Sequence, residues 1–270
     1  AGPRAASAGS RGGAARPGAP GTRLRRLTVA DELDSTNAAL LEAPPVPAGR
    51  LDACLAEFQS RGRGRRGRSW VAPFASGLCL SLGWTFRDAP PQLSALSLAV
   101  GTGVLRALAA LGIAGVGLKW PNDLVHSMRK LGGILIELRA EAAGPAFVVI
   151  GLGFNVALPA AARAALGASG LPVASLDDFC DPPPRSLLAA AVIGQLERVL
   201  AEFEHSGFAP FAGEWRAADA LAAQPARILL GDRRIEGVAR GIDDDGALLL
   251  EADGRLQRFV AGEVSLRPAA

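Results

Sequence analysis

An arginine- and glycine-rich segment, residues 59–70, has the residue types best suited to binding an anion. Its sequence is QSRGRGRRGRSW, with five arginines and three glycines. Glycine permits backbone conformations that other residues rarely adopt, so main-chain amides can approach a ligand. Guanidinium groups and amides together suit a phosphate or a carboxylate. A strand-like run precedes the segment and Trp70 closes it, so we predict a loop at the mouth of a folded site.

The same segment has an alternative reading of a different class. Arg-Gly runs are typical of disordered RNA-binding tails. This run instead lies inside a folded region, and it lacks repeated Arg-Gly-Gly units and interleaved aromatic residues. An RNA-binding module therefore stays open as the alternative.

The two lysines of the chain form the second feature with chemical potential. Lys119 begins the sequence KWPND and Lys130 begins KLGG, and every other one of the 29 basic residues is arginine. A lysine ammonium is compact and mobile, unlike the planar guanidinium. Both lysines border strand-like runs, so the two ammonium groups converge on one pocket if these strands pair. Chance proximity of two lysines is the alternative.

The elements that must position these residues follow from apolar periodicity. Helices are predicted at 37–42, 92–111, 184–204 and 208–220. Strands are predicted at 27–29, 52–58, 77–86, 117–120, 133–138 and 146–150. Four short strands follow at 228–230, 234–240, 247–251 and 256–260, separated by Gly-Asp and Asp-Gly turns. We therefore predict a disordered tail at 1–26, a mixed α/β domain at 27–222 and a small β-barrel at 223–270.

Charge and composition narrow the function. The net charge is +3, but residues 1–26 hold six of the 29 basic residues and no acid, which leaves 23 basic against 26 acidic residues. Such a balance favours a local anion site over a broad nucleic-acid-binding face. The three cysteines form no CxxC or Cys/His pattern, so we predict reduced core cysteines in a cytoplasmic protein without a metal site of its own side chains. No uninterrupted apolar run reaches the roughly 18 residues that span a bilayer.

Five motifs, taken in order, resemble those of the biotin protein ligases. They are DSTN at 34–37, Gln59 with the Arg-Gly run through Trp70, KWPND at 119–123, KLGG at 130–133 and GLGFN at 151–155. The resemblance covers nearly the whole chain from residue 27 onward. It implies an α/β (α+β) fold, with a mixed-sheet catalytic domain of the biotin/lipoate ligase type and a small C-terminal SH3-like β-barrel.

The resemblance implies a two-step reaction. Biotin and ATP give biotinyl-5′-AMP and pyrophosphate, and a lysine of a biotin carboxyl carrier protein then takes the biotin. This chemistry needs no protein nucleophile, which agrees with the lack of a Ser/His/Asp or Cys/His set. ATP and biotin are substrates, Mg²⁺ arrives with ATP, and no tightly bound prosthetic group is expected. A lipoate or octanoate ligase or transferase of related fold is the closest alternative enzyme.

The resemblance also implies the ligand-binding residues. The biotin-binding set is Ser35, Thr36, Asn37, Gln59, Arg63, Gly64, Arg65, Lys130, Gly132 and Gly133. The ATP-binding set is Arg63, Arg65, Arg66, Arg68, Trp70, Lys119, Asn122, Lys130 and Asn155. The catalytic set is Lys130, Arg65, Lys119 and Asp123. Helix capping by Ser35, turn capping by Asp123 and core packing by Trp70 are the structural alternatives.

Partners follow from the same resemblance. We expect a monofunctional ligase that binds a biotin carboxyl carrier protein. No helix-turn-helix pattern precedes residue 27, so we expect no DNA binding. We also expect no binding to a membrane. The sequence does not decide between a monomer and a homodimer. Arg61, Gly132 and Phe154 depart from the residues common in the family, which raises the question of how the loop closes and how the pocket is shaped.

Overall fold

The structure is a computed structural model that describes residues 14–17, 22–140, 145–167, 172–230, 233–260 and 265–268. Its larger sheet is formed by β1 (Ala14–Pro17), β2 (Leu24–Leu33), β3 (Leu51–Gln59), β4 (Gly77–Phe86), β5 (Gly117–Lys119), β6 (Asp123–His126), β7 (Arg129–Ala140) and β8 (Ala146–Asn155). The helices are α1 (Thr36–Glu42), α2 (Leu96–Ala110), α3 (Ala160–Gly167), α4 (Arg185–Ser206) and α5 (Ala209–Ala217). The smaller sheet is formed by β9 (Pro225–Leu230), β10 (Arg233–Ile242), β11 (Leu248–Ala252), β12 (Arg255–Phe259) and β13 (Ser265–Pro268).

The larger sheet is mixed. Its eight strands run in the order β1-β2-β3-β4-β8-β7-β6-β5, with β2 and β3 parallel and all other neighbours antiparallel. Every residue of β4 is buried, because helices cover the central strands on both faces. The mixed α/β architecture predicted from the sequence is confirmed.

Helices α2 and α4 pack together against one face of this sheet. Gly103 in α2 makes the contact close, since a Cβ there would lie 2.7 Å from Cγ2 of Val199. Leu96, Val104, Leu196 and Phe203 are fully buried in this layer. Burial of each such side chain stabilises the fold by roughly 1.5–3 kcal/mol.

One stretch comes close to the length of a membrane span, although Ser97, Thr102 and Arg106 interrupt its apolar sequence. Leu93–Ala110, which includes α2, has the length and composition of a membrane-spanning helix. In the structure 61% of this stretch is buried inside the protein. Its apolar side chains belong to the core between sheet and α4, which accounts for its composition.

Helix α1 covers the opposite face, and it forms a second, smaller core. Leu40 packs there with Val46, Cys54, Phe147 and Val149. The space that remains between α1, the Arg-Gly loop and the sheet is the cavity described below.

The smaller sheet is antiparallel, in the order β12-β11-β10-β9-β13. Burial alternates along β11, as expected for a strand with one face on a core. In the described part of the chain no pairing between β12 and β13 closes the sheet, so the predicted barrel is observed as an open five-stranded sheet. Gln92 Nε2 donates to Asp245 Oδ1 at 3.0 Å, and Arg216 Nε donates to the Ile242 carbonyl at 3.0 Å, so this sheet packs against the larger unit.

Four elements escaped sequence analysis, namely β1, β6, α3 and β13. The structure also differs from the prediction at the N-terminal end, because residues 14–17 pair with β2 and β2 begins at Leu24. The rest of the predicted disordered tail before residue 22 lies outside the described residues. The predicted boundary at 222/223 falls between α5 and β9.

Candidate ligand-binding site

A cavity of about 240 Å³ lies between α1, the Arg-Gly loop and strands β4, β7 and β8. It brings together nearly all residues predicted to bind a ligand. These are Ser35, Thr36, Asn37, Gln59, Arg63, Gly64, Arg65, Arg66, Arg68, Trp70, Lys119, Asn122, Asp123, Lys130, Gly133 and Asn155.

Gly132 is the exception among the predicted residues. It does not line the cavity. A Cβ at this position would lie 2.8 Å from the Gly153 carbonyl oxygen and 3.0 Å from the Phe154 ring. Gly132 therefore permits the close pairing of β7 with β8, and its predicted ligand contact stays a prediction.

The Arg-Gly loop folds into a short hairpin over the cavity. Arg63 bridges to Ser69, and the Trp70 amide donates to the Gly62 carbonyl at 2.9 Å. A Cβ on Gly62 would lie 2.3 Å from the Trp70 carbonyl oxygen, so the hairpin requires glycine there. Arg66 takes a positive φ of 57° at the tip. The loop thus forms one wall of the cavity, in agreement with the predicted position at the mouth of a folded site, and it is not an extended tail.

Arg65 points from this loop into the cavity. Its Nη1 donates to Asn122 Oδ1 at 3.1 Å, and Asn122 Nδ2 donates to the Ile134 carbonyl at 2.7 Å. Burial lowers the pKa of the Arg65 guanidinium, and the nearby charges of Arg66 and Arg68 add to the decrease, while Asp123 opposes it. An arginine stays protonated at neutral pH nonetheless. A partly desolvated cation of this kind attracts an anion more strongly than one in water.

Both lysines reach the cavity from strands on either side of β6. Asp123 on β6 faces Lys119 on β5 and Gly133 on β7. Its Oδ1 lies 2.5 Å from Lys130 Nζ, and its Oδ2 lies 3.6 Å from Lys119 Nζ. The predicted convergence of the two ammonium groups is confirmed. Asp123 is not a turn cap here, since it joins the two lysines and leaves the cluster with an excess positive charge.

One end of the cavity is polar, and we call it the closed end because Ser35 and Thr36 there are buried. Gln59 Oε1 accepts hydrogen bonds from the Thr36 amide at 2.8 Å and from Thr36 Oγ1 at 3.1 Å. Ser35 caps α1 by accepting from the Ala38 amide at 3.4 Å, and it also lines the cavity. Helix capping by Ser35 is therefore compatible with its predicted contact to a ligand.

Two glycines of β8 make room for the cavity walls. A Cβ on Gly151 would lie 2.4 Å from Asn37 Oδ1, and a Cβ on Gly153 would lie 2.3 Å from Trp70 Cε2. Trp70 can thus lie flat on the sheet beside the cavity. Its indole Nε1 is buried and has no hydrogen-bond partner among the described residues.

Asn155 lies at the end of β8, with 2% of its surface exposed. Its Nδ2 donates to the Ala174 carbonyl at 2.9 Å, so the adjoining segment fixes the orientation of the amide. Its predicted role in binding ATP stays a prediction.

Sequence analysis missed two polar residues next to the cavity, Ser81 on β4 and Glu137 on β7. Ser81 Oγ donates to Asn37 Oδ1 at 2.5 Å, and Glu137 Oε2 accepts from Asn37 Nδ2 at 2.8 Å. The signal for Glu137 was present, since it is the one charge in the apolar run ILIEL at 134–138. No comparable signal marks Ser81.

No metal site of protein side chains is found in the described ranges, in which no three His, Cys, Asp or Glu residues are grouped to hold an ion.

Two families match the sequence. Residues 29–155 match the Biotin/lipoate A/B protein ligase family, and residues 224–267 match the Biotin protein ligase C terminal domain. The bifunctional ligase/repressor BirA of Escherichia coli (strain K12) is 39% identical over 246 residues, which is 90% of this chain and 74% of the relative. The biotin–acetyl-CoA-carboxylase ligase of Mycobacterium tuberculosis (H37Rv) is 37% identical over 251 residues, which is 90% of each chain.

A solved structure agrees with these matches. The biotin protein ligase of Aquifex aeolicus in complex with biotin and ATP is similar at a TM-score of 0.75 and 26% identity, covering 90% of this chain and 99% of its own. The chain has a mixed sheet with a cation-lined cavity, followed by the Biotin protein ligase C terminal domain, and its relatives are named ligases, so it is an enzyme of the ligase class. With similarity over 90% of its length to named biotin ligases, the chain belongs to the biotin protein ligase family.

Proposed function

We propose that this chain is an ATP-dependent biotin ligase that forms biotinyl-5′-AMP and then transfers biotin to a lysine of a biotin carboxyl carrier protein. The observation that carries the proposal is one cavity with a closed polar end and a cationic end, the latter formed by Arg65, Lys119 and Lys130. Biotin has the matching polarity, with a ureido group at one end and a carboxylate at the other.

The closed end suits the ureido group, which has two N–H donors and one carbonyl acceptor. Ser35, Thr36 and Gln59 offer hydroxyl and amide groups that both donate and accept. The glycine floor at 151 and 153 and the Trp70 ring suit the apolar part of biotin. Bound in this direction, the carboxylate points towards Lys130.

The first step joins two anions, so charge neutralisation is the main task of the protein. A biotin carboxylate oxygen attacks the α-phosphorus of ATP, a P–O bond forms, and the bond to the pyrophosphate breaks. Lys130 neutralises the carboxylate and the α-phosphate, while Lys119 and Arg65 neutralise the phosphates. Mg²⁺ enters with ATP, held mainly by phosphate oxygens. Holding both reactants in one cavity removes much of the entropic cost of the encounter.

The second step needs an amine and no water. The neutral amine of the carrier lysine attacks the carbonyl carbon of the mixed anhydride, an amide forms, AMP leaves and the amine loses a proton. The Arg-Gly hairpin supports this step because it covers the cavity. Water excluded by this cover cannot hydrolyse the anhydride before the carrier binds.

Two alternatives remain testable. Lipoate and octanoate carry no ureido group, so the hydroxyl and amide groups of Ser35, Thr36 and Gln59 would lose their partners. The Arg-Gly hairpin is folded, and Arg65 in it forms a hydrogen bond with Asn122. This disfavours the alternative that the segment is an RNA-binding tail. A gel shift with RNA that is salt-dependent and insensitive to biotin and ATP would support the RNA alternative.

The decisive assay supplies the purified chain with ATP, Mg²⁺ and a carrier domain, together with labelled biotin, lipoate or octanoate. Pyrophosphate release reports the first step, and the mass of the carrier reports the second. We expect biotin to be transferred and the other two acids to remain free. Transfer of lipoate or octanoate without transfer of biotin would overturn the proposal.

We further propose a cytoplasmic enzyme whose catalytic domain ends near residue 222. Burial raises the pKa of the Cys54 and Cys79 thiols to about 11 each. Such thiols are unreactive at neutral pH, which is compatible with reduced cysteines in the core. Limited proteolysis between α5 and β9 tests the boundary.

A further inference from the structure

Lys130 faces a chemical hazard in the second step of the proposed reaction. That step proceeds because a lysine amine attacks the carbonyl carbon of the mixed anhydride. Lys130 is itself a lysine, and it is proposed to neutralise the carboxylate from which the anhydride is made. Attack by its own Nζ would attach biotin to the enzyme and remove the charge that the first step needs. The site therefore has to keep Lys130 from accepting the acyl group.

The Lys130 residue is held at both ends. Its amide donates to the Pro172 carbonyl at 2.7 Å, and its carbonyl accepts from the Ala174 amide at 2.8 Å. Its Nζ donates to Asp123 Oδ1 at 2.5 Å. Gly133 is the partner of Asp123 in the pairing of β6 with β7, and a Cβ there would lie 3.3 Å from Lys130 Nζ. Main chain, glycine and carboxylate together fix the position of the ammonium group.

The contact with Asp123 also fixes the chemical form of the amine. A carboxylate next to an amine favours the charged form, and an ammonium has no lone pair with which to attack a carbonyl carbon. The Asp123 and Lys130 side chains are 15% and 26% exposed, so water screens this pair less than a pair on the surface. The other cations of the cavity, Lys119 and Arg65, would favour loss of the proton if the carboxylate were absent.

The remaining basic residues offer no second acceptor. Two of the 29 basic residues of the chain are lysines, and the others are arginines. An arginine stays protonated at neutral pH and does not act as an acyl acceptor. Lys119 also lines the cavity, its side chain is 4% exposed, and its Nζ lies 3.6 Å from Asp123 Oδ2. Biotinyl-5′-AMP that leaves the cavity therefore meets no lysine elsewhere on this chain.

We propose that Asp123 is a positioning residue that protects Lys130 from acylation by the bound adenylate. In the reaction that it prevents, the Nζ lone pair forms a C–N bond, and the bond from the carbonyl carbon to the phosphate oxygen breaks. AMP leaves with that electron pair, and the nitrogen releases a proton. The acyl group passes instead to a carrier amine that arrives in neutral form. The inference rests on the proposed function, because it takes biotinyl-5′-AMP as the acyl donor.

The test uses Asp123→Asn in the full chain, incubated with supplied biotinyl-5′-AMP and no carrier protein. Supplying the adenylate makes the result independent of the first step. We expect biotin on Lys130 to increase about tenfold over the wild type, the effect of removing one close opposite charge from a cation. Intact mass counts the attached biotin groups, and peptide mapping assigns them to one of the two lysines.

Four further variants separate protection from a general change in the site. Asp123→Glu keeps a carboxylate and should stay unlabelled. Lys130→Arg in the Asp123→Asn background removes the acceptor amine, so the label should disappear. Asp88→Asn removes a carboxylate from an exposed position and should behave like the wild type. Asp123→Ser removes the same carboxylate and replaces Asp123→Asn in the test if that variant does not fold.

Several results would overturn the protective role. They are a wild type that carries biotin on Lys130, an Asp123→Asn chain that stays unlabelled, and equal labelling of Asp123→Glu and Asp123→Asn. Loss of adenylate binding in Asp123→Asn, measured by calorimetry, would also overturn it, because Asp123 would then act in binding. A wild type that makes no biotinyl-5′-AMP from biotin and ATP would refute the proposed function, while labelling by the supplied adenylate would still test the protection.

Discussion

Asp123 shares its carboxylate between Lys130 and Lys119, and this sharing sets the charge of the cavity. One negative charge faces two positive charges, with Arg65 added from the loop. The ammonium groups of Lys119 and Lys130 repel one another, and Asp123 between them holds them close together. An incoming carboxylate and phosphate would supply the missing negative charge.

Lys130→Ala removes the ammonium group that we propose to neutralise the biotin carboxylate and the α-phosphate. We expect adenylate formation to fall by about 10²–10³, the range typical for removing one electrostatic contact to a reacting anion. Pyrophosphate release is the measurement. Arg50→Ala, at an exposed position, removes the same charge and should leave the rate unchanged. Near-normal pyrophosphate release by Lys130→Ala would refute the role of Lys130.

Arg65→Gly removes a cation from the loop and from the contact with Asn122. We expect biotinyl-5′-AMP to escape into solution, so that bystander proteins become biotinylated. Streptavidin blotting of a protein mixture measures this loss of selectivity. Arg61→Gly is the matched control, because Arg61 belongs to the same loop but does not line the cavity. Selectivity equal to that of the wild type in Arg65→Gly would contradict the retention of the adenylate by Arg65.

Residue types alone predicted much of this site. The rarity of lysine pointed to Lys119 and Lys130, and the glycine pattern pointed to the loop. Gly132 lies outside the cavity lining, because a motif does not reveal which side of a strand faces a cavity. Ser81 was missed because a serine in a buried strand looks like any other core residue until its partners on α1 are known.

At the scale of elements, β8 combines two tasks. It is a central strand with antiparallel neighbours on both sides, and its glycines let Asn37 and Trp70 approach the sheet. Bulky side chains at these positions would stabilise an ordinary strand. Here they would fill the cavity, so the strand gives up packing to make room for a ligand.

Gly153→Ala tests this account. The new Cβ would meet Trp70 Cε2 at 2.3 Å and must displace the indole. We expect a loss of roughly 1–3 kcal/mol in the free energy of unfolding from overpacking, together with weaker biotin binding by calorimetry.

Gly194→Ala in α4 is the matched control for this substitution. A Cβ there meets nothing within 4 Å, so helix propensity should raise the free energy of unfolding by about 0.5–1 kcal/mol. Unchanged biotin affinity in Gly153→Ala would refute the role given to the Trp70 wall.

Element boundaries could be predicted where apolar periodicity was strong, as in α4 and β4. Strand β6 was missed because its four residues follow a proline and lie between two turns. Strand β7 is longer than the predicted 133–138, since its first residues are polar and obtain their strand pairing from β6 and from Val173. Tertiary pairing, and not local propensity, determines such segments.

At the scale of the whole molecule, the two sheets meet near Asp219. Leu118 on β5 bridges to Asp219, and a Cβ added to Gly241 on β10 would lie 4.0 Å from Asp219 Oδ2. Asp219 Oδ1 accepts from the Leu221 amide at 2.9 Å. Its Oδ2 is buried without a hydrogen-bond partner in the described parts of the chain. Burial raises the pKa of the Asp219 carboxyl above its ordinary value of 3.8.

This raised pKa predicts how stability depends on pH. Below about pH 4 the carboxyl binds a proton in both folded and unfolded chains, and its contribution to stability is fully present. As the pH rises through the raised folded pKa, the native state must bury a charge, and stability is lost. Asp219→Asn avoids this charge and can still accept from the Leu221 amide.

We therefore expect Asp219→Asn to be more stable than the wild type at about pH 8, with the difference vanishing towards about pH 4. Urea unfolding across this range measures it. Asp88→Asn removes a carboxylate from an exposed position and controls for net charge. A difference that stays constant with pH would exclude titration of Asp219 as its cause.

Trp120 Nε1 donates at 3.1 Å to the carbonyl oxygen of Gly246, at the turn between β10 and β11. Gly246 has a φ of 80°, and a Cβ there would lie 2.8 Å from Leu98 Cδ1 and 2.9 Å from Ala95 Cβ. The Trp120 side of the cavity is thus held by a carbonyl group whose position requires glycine at residue 246. Residues 1–222 can be joined to the C-terminal module of another ligase. Such a chimera should keep activity only if the turn of the foreign module places a glycine at the position of Gly246, even if the rest of its sequence differs.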